Sequence, residues 1–202
     1  MPRRGRFDGA ATVLVVLLAA AGLGCTANAQ KGNGNGAADG KAWATAVACE
    51  GVPKLCKVTA DLYRGGQPEA KGLAALRLMG IKTVVNLRTI GTNRDEVTDA
   101  GLAYAHVGLH PCFPTDEAVI QFLRIVTDPE RTPVFVHCWF GSERSSVMCA
   151  AYRMVVCGWS KEDAVREILE GPVGFSPFWW NLALFVENLD VAKIKQALAP
   201  AE

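Results

Sequence analysis

The stretch Val136-His137-Cys138-Trp139-Phe140-Gly141-Ser142-Glu143-Arg144-Ser145 decides how this chain is read. Just before it, Pro133 to His137 (PVFVH) is a short apolar run that predicts a buried strand. Just after it, Ser145 to Val156 reads as a helix closed by Gly158. A strand thus ends at a cysteine, five residues loop back, and an arginine and a serine open a helix. Successive backbone N–H groups in such a loop, followed by a helix N-terminus, point inward and make an anion nest. Gly141 permits a backbone conformation or a close approach that a side chain would block. Arg144 can fork two N–H donors onto phosphate oxygens, which lysine cannot match. Helix N-termini and nearby cations lower a cysteine pKa from about 8.5 to roughly 3.5–7.5. The combination predicts a thiolate nucleophile, Cys138, beneath a bound tetrahedral oxyanion, which suits phosphoryl transfer through a cysteinyl-phosphate. Ser145 then stands near the sulfur and stabilises the thiolate as it leaves. A bare C-x5-R spacing is also compatible with a core cysteine and an unrelated arginine. His, Cys, Gly, Arg and Ser together at a strand–loop–helix junction are much more specific.

Outward from this junction, strands alternate with helices. Pro68 to Met79 has Leu73, Leu76 and Met79 at helical spacing before Gly80, and Ile81 to Leu87 (IKTVVNL) is a β-branched strand. Gly91 to Gly101 holds a short helix, and Leu102 to Leu109 alternates like a second strand. Thr115 caps a helix that runs to about Val126, with Val119, Ile120, Leu123 and Val126 on one face. Ser160 and Asp163 resemble a capping box. Ser176 to Leu198 reads as one more helical stretch, with Phe178, Leu182, Phe185 and Leu189 as its core stripe. This order predicts an α/β domain with a mostly parallel sheet covered by helices on both faces.

The chain has 202 residues, half of them apolar, with 21 Lys+Arg against 20 Asp+Glu. That suffices for one domain, and it offers no broad basic field for nucleic acid. Arg3, Arg4 and Arg6 precede a fourteen-residue apolar run, Ala10 to Leu23, the layout of a secretory signal peptide. Two processing readings stand side by side. Ala27-Asn28-Ala29 before Gln30 is a small-x-small cleavage site, giving a leader of residues 1–29. Gly22-Leu23-Gly24-Cys25 resembles a bacterial lipoprotein box, giving a leader of 1–24 and a lipid on Cys25. Either predicts an exported, periplasmic or extracytoplasmic protein, touching a membrane only through that lipid. Residues 30–41 (QKGNGNGAADGK) read as a flexible linker, and 42–202 as the folded domain.

The quoted junction resembles the HC-x2-G-x2-R-S/T signature of the cysteine-dependent protein tyrosine phosphatases. The mature domain resembles the small dual-specificity type found in bacteria. LYRGGQP (Leu62 to Pro68), IKTVVNLR (Ile81 to Arg88) and AAYRMVVCGWSKEDAVREI (Ala150 to Ile168) resemble further segments of that family. The resemblance spans about Asp61 to Asp190. It implies a central sheet of four or five strands, no metal or other cofactor, and hydrolysis of phosphate monoesters. The expected substrate is a phosphorylated protein, through phosphotyrosine and also phosphoserine or phosphothreonine. An inositol phosphate or phosphoinositide, or a catalytically weak phosphate-binding module, is the alternative.

The family's general acid is an aspartate about thirty residues before the cysteine. Here Asp116 lies 22 residues upstream and Asp99 lies 39 upstream. Asp116 is the first choice, against a plain role in the first turn of its helix, and His110 is the second. Trp139, Phe140, Gly141, Ser142, Glu143 and Arg144 are the expected substrate-binding residues, with the two aromatic rings as an apolar rim. Glu143 argues by its sign against a highly phosphorylated polyanion. Arg64 and Arg88 read first as loop ties, and Gln67 as a turn residue. The run Phe175 to Trp180 reads as core and helix start. Cys49 and Cys56 are expected to form a disulfide, and Cys149 and Cys157 to be buried thiols. A zinc set of Cys49, Cys56, His106 and Cys112 lacks paired ligand spacing and ranks low.

Overall fold

A computed structural model describes residues 41–199. The leader, its two cleavage readings, Cys25 and nearly all of the linker lie outside the described residues. Six strands form one sheet in the order β1-β2-β3-β6-β4-β5. They are β1 (Thr45–Ala46), β2 (Cys56–Lys57), β3 (Leu62–Gly65), β4 (Thr83–Asn86), β5 (Ala103–His106) and β6 (Val134–His137). The four strands β3, β6, β4 and β5 are mutually parallel, as expected. The two-residue strands β1 and β2 add an antiparallel edge, which brings the count to six rather than four or five. Two residues carry no readable alternation, so only tertiary pairing creates these strands.

Helices cover both faces. On one lie α1 (Ala70–Leu78) and α2 (Arg94–Asp99), packing Leu73, Leu76 and Val97 against Val84 and Phe135. On the other lie α3 (Asp116–Val126), α4 (Glu143–Val155), α5 (Lys161–Glu170), α6 (Trp180–Asn188) and α7 (Val191–Leu198). They pack against Leu62, Val85, Val134 and Val136. Strand β6 sits between β3 and β4 and is buried along its whole length, so Phe135 points to one core while Val134 and Val136 point to the other. Helix α3 forms as its pattern predicts. Thr115 accepts the Ala118 N–H as N-cap, and of the expected stripe Val119, Leu123 and Val126 are buried while Ile120 is only partly so and Phe122 takes the fully buried place beside them. Each such side chain contributes about 1.5–3 kcal/mol. Ser160 likewise caps α5 by accepting the Asp163 N–H.

The C-terminal stretch departs from expectation. A 3₁₀ turn at Pro177–Trp179 precedes α6, and Leu189 and Asp190 separate α6 from α7, with Asp190 accepting the Lys193 N–H as a new N-cap. The break changes the helical phase. Leu182 and Leu189 are buried, Phe185 is partly so, but Phe178 is 77% exposed and Trp180 is also exposed. Within the 175–180 run, Phe175 and Trp179 pack against the core and α6 starts at Trp180 as expected, while Phe178 and Trp180 lie outside the core.

The cysteines also differ from expectation. Cys56 is a free, buried thiol in β2, so the Cys49–Cys56 disulfide is not formed. Cys149 is fully buried on α4, and that burial pushes its thiol up to about 12. Cys157 is exposed beyond the end of α4, because the helix stops at Val155 before it can carry residue 157 into the core. The considered zinc ligands do not gather into a metal cluster among the described residues.

Candidate active site

The parallel register brings Gly65, His137, Asn86 and His106 level with one another at the carboxyl ends of their strands. The loop 138–142 leaves β6 at this edge and turns into α4, which begins at Glu143 rather than at Ser145. Arg144 and Ser145 thus lie in the first helical turn, where unsatisfied amides concentrate positive potential.

Cys138 is buried at the floor of this loop. The Gly141 N–H donates to its sulfur at 3.3 Å, and Ser145 Oγ lies 4.0 Å from it. Gly141 has φ +71°, and a Cβ there would fall 2.4 Å from both the Gly65 carbonyl carbon and the Gly66 nitrogen. Only glycine fits such an approach. The expectation for Gly141 is met, and its partner is the Gly-Gly of the LYRGGQP segment.

Outside donors hold the loop's carbonyls. Gln67 N–H donates to the Trp139 carbonyl at 3.1 Å, and His137 Nδ1 lies 3.2 Å from the Cys138 carbonyl. Arg64 Nη2 lies 2.8 and 2.9 Å from the carbonyls of Gly141 and Ser142. In a trans peptide the C=O and the following N–H point oppositely. Drawing these four carbonyls outward turns the amides of Trp139, Phe140, Ser142 and Glu143 toward the concave side. The anion nest is therefore built by its supports as much as by its own sequence.

Arg64, on β3, is 4% exposed and also reaches Ser145 Oγ at 3.2 Å and Ser146 Oγ at 2.7 Å. Ser146 Oγ in turn donates to the Ser142 carbonyl. No carboxylate pairs with Arg64 among the described residues. Its charge lies beneath the loop, with Glu167 across a small shared cavity but not paired to it. Lys54 adds a second positive charge from the side, its Nζ donating to Ser142 Oγ at 2.5 Å.

Arg144 is half-buried and has no hydrogen bond or ion pair to another described residue. Its guanidinium still makes itself felt at His137 and Arg88. This matches an arginine reserved for a ligand. Burial above all, with the nearby Arg88 and Arg144 charges, holds His137 down to about 4. The ring is therefore neutral at pH 7. It donates from Nδ1 to the Cys138 carbonyl, and Nε2 accepts from Asn93 Nδ2 at 3.4 Å. Asn93 Oδ1 accepts in turn from Asn86 Nδ2 at 3.0 Å.

Arg64 ties the loop as expected, though through carbonyls and hydroxyls and not salt bridges, whereas Asn86, Asn93 and Lys54 carry site roles that sequence reasoning missed. One signal was present: an arginine at an inward position of LYRG and an asparagine in the β-branched run TVVN are buried polar residues, which need a specific partner.

Of the remaining expected residues, Trp139 and Phe140 are exposed at the rim, and Ser142 is buried as the N-cap of α4. Glu143 is half-buried in the first turn. Asp116 opens α3, with Oδ2 2.7 Å from Lys193 Nζ on α7. His110 directly follows Leu109, whose N–H donates to the Leu87 carbonyl beyond β4. It stacks on Phe113, and its Nδ1 accepts the Cys112 N–H. Asn181 on α6 donates to the Pro111 carbonyl and ties this turn down.

Residues 49–171 match the family described as DSP-PTPase phosphatase fused to NAD+ kinase. The dual specificity protein phosphatase TpbA of Pseudomonas aeruginosa is 31% identical over 162 residues, 80% of this chain and 73% of TpbA. A crystal structure of TpbA superposes with a TM-score of 0.70 at 30% identity, over 80% of this chain and 99% of that one. A further TpbA structure, in complex with pTyr, superposes equally well. The inositol diphosphatase DSP5 of Arabidopsis thaliana is 24% identical over 72% of this chain and 74% of its own. With the signature loop, the parallel sheet beneath it and the span of these matches, the chain belongs to the cysteine-dependent DSP-PTPase phosphatases.

Proposed function

We propose that this protein hydrolyses phosphate monoesters on proteins, phosphotyrosine first and phosphoserine or phosphothreonine second. The observation that carries the proposal is the Cys138 sulfur under the Gly141 amide and beside Ser145, with Arg144 in the first turn of α4 making no hydrogen bond or ion pair among the described residues. Cys138 attacks phosphorus, the P–O ester bond breaks, and the leaving oxygen takes a proton from a general acid. Arg144 and the inward amides hold the three non-bridging oxygens. Water then attacks the cysteinyl-phosphate, and Ser145 steadies the sulfur as it leaves as thiolate. The TpbA structure in complex with pTyr supports phosphotyrosine. The inositol diphosphatase relative keeps a second substrate class in play, and Glu143 in the loop opposes it.

The acid comes from the segment 110–116. Asp116, the expected residue, is already occupied by Lys193. His110 sits at the carboxyl edge of the sheet and takes precedence. We also propose an exported enzyme, on the strength of the Arg-rich start and apolar run of the leader. The mass of the mature N-terminus, Gln30 or a lipid-bearing Cys25, tests that proposal.

The central experiment assays the full chain on p-nitrophenyl phosphate, phosphopeptides and an inositol pyrophosphate. Cys138→Ser abolishes release of inorganic phosphate, and vanadate inhibits the wild type. On a phosphoserine peptide, a poor leaving group, His110→Asn lowers turnover about 10²-fold while Asp116→Asn changes it little. The reverse ranking returns the role to Asp116. Binding without phosphate release would make the domain a recognition module.

A further inference from the structure

Beside the cradle, three residues from three segments close a triangle. The Arg88 guanidinium lies flat against the Trp139 indole, 3.6 Å from the ring centroid. Arg88 Nη1 donates to Gln67 Oε1 at 2.9 Å, and the Gln67 N–H donates to the Trp139 carbonyl. Arg88 is itself buried and follows β4, its N–H fixed by Asn86 Oδ1 at 2.9 Å. Trp139 is thereby held at both its backbone and its ring, yet stays 50% exposed. One face of the indole is covered by the guanidinium, so the exposed half of the side chain falls to its edge and its other face, one residue from Cys138. A large apolar ring clamped at this cost in side-chain freedom, and left uncovered, is suited to stack against a second ring. The triangle engages Arg88 through Nη1 and its flat face, while its Nε is buried without a hydrogen-bond partner among the described residues.

We infer that the open face of Trp139 is the platform on which the phenyl ring of a phosphotyrosine side chain lies, and that Arg88 and Gln67 are positioning residues that hold it. The inference rests on the phosphatase reading above and narrows it: the enzyme prefers aryl over alkyl phosphate because an aryl ring can stack while the short serine methylene cannot reach. Phosphate itself is gripped equally in both cases by Arg144 and the amides, so the preference resides in the wall and not in the cradle.

The experiment measures kcat/KM of the full chain for a phosphotyrosine peptide and a phosphoserine peptide of otherwise identical sequence. Trp139→Ala lowers the tyrosine-to-serine ratio about fivefold, the size of effect that ring stacking supplies, chiefly by raising KM for the phosphotyrosine peptide. Trp139→Phe restores most of the ratio, since it keeps a ring at the same place. Arg88→Ala lowers the ratio about threefold by releasing the indole, again in KM. An unchanged ratio in Trp139→Ala, whether both substrates suffer equally or neither does, overturns the inference. So does a wild type with no aryl preference. Failure of the wild type to release phosphate from any monoester sinks the underlying phosphatase reading instead, and is recognised separately.

Discussion

Arg64 and Arg153 are buried to the same depth, each 4% exposed, and they live in opposite company. Arg153, on α4, meets Glu167 of α5 in a bidentate pair, Nε to Oε2 at 2.9 Å and Nη2 to Oε1 at 3.0 Å. Glu167 Oε1 also accepts the Ala44 N–H at 2.6 Å, and Arg153 donates to the Ala42 carbonyl and lies over the Trp159 ring. This clamp fastens the start of the domain to two helices and cancels its own charge. Arg64 gives its hydrogen bonds only to carbonyls and hydroxyls, with Glu167 across a small shared cavity but not paired to it, and its Nε is buried without a hydrogen-bond partner among the described residues. Where the fold needs attachment, charge is neutralised locally. Where an anion is to bind, positive charge is kept unpaired and aimed from below.

Removing one member of the neutral pair has the largest effect on stability. Glu167→Ala leaves Arg153 buried and unpaired and costs about 3–5 kcal/mol in urea unfolding. The kcat of the folded fraction holds, because Glu167 touches nothing in the loop. A drop in kcat with unchanged stability would erase the distinction between the two regions. Acid probes the other region. His137 has a folded pKa of about 4 against 6.5 for the unfolded chain. The unfolded state therefore binds the extra proton between these values. The contribution is intact above pH 6.5 and is lost progressively as pH falls to about 4, roughly 3 kcal/mol in total. Urea titrations at pH 7.5, 5.5 and 4.5 should show this slope in the wild type and a flatter one in His137→Gln. Arg64→Met comes next in stability, at about 1–3 kcal/mol for the stranded carbonyls of Gly141 and Ser142. Unlike Glu167→Ala, it also lowers kcat/KM roughly 10²-fold, since the amides turned inward by those carbonyls lose their aim.

The two regions were not equally legible in the sequence. Cys138 as the proposed nucleophile, Arg144 after it, Gly141 and the caps at Thr115 and Ser160 are local patterns, each complete within a few residues. The supports of the loop are not. Arg64 lies 74 residues before Cys138, Asn86 lies 52 before it, and only the parallel register sets them level with His137. Phe178 departs from the expected stripe because α-helical spacing is extended back from Leu182, whereas residues 177–179 form a 3₁₀ turn with a different phase before α6 begins. The Cys49–Cys56 pairing rested on spacing across a turn, while Cys56 in fact occupies an inward strand position that buries it. The Arg153–Glu167 pair had a visible trace in the AAYRMVV and AVREI segments. Nothing in those segments says that the two side chains point at each other.

The smallest effect is the sharpest test of why the clamp is ionic at all. A buried ion pair loses hydration on both sides, and well-packed apolar replacements of similar volume are often neutral or stabilising. The double variant Arg153→Met, Glu167→Leu keeps approximate volume and removes both charges together. Two acceptor–donor links to the first described residues, at Ala42 and Ala44, are lost with them. The gain from removing desolvated charge should offset that loss, leaving global stability within about 1 kcal/mol of wild type. Hydrogen exchange should instead quicken at the Ala44 amide, the group left without an acceptor. A global loss as large as that of Glu167→Ala alone would show that the pair contributes net stability. An unchanged Ala44 amide would show that residues 42–44 are held by packing, and not by the clamp.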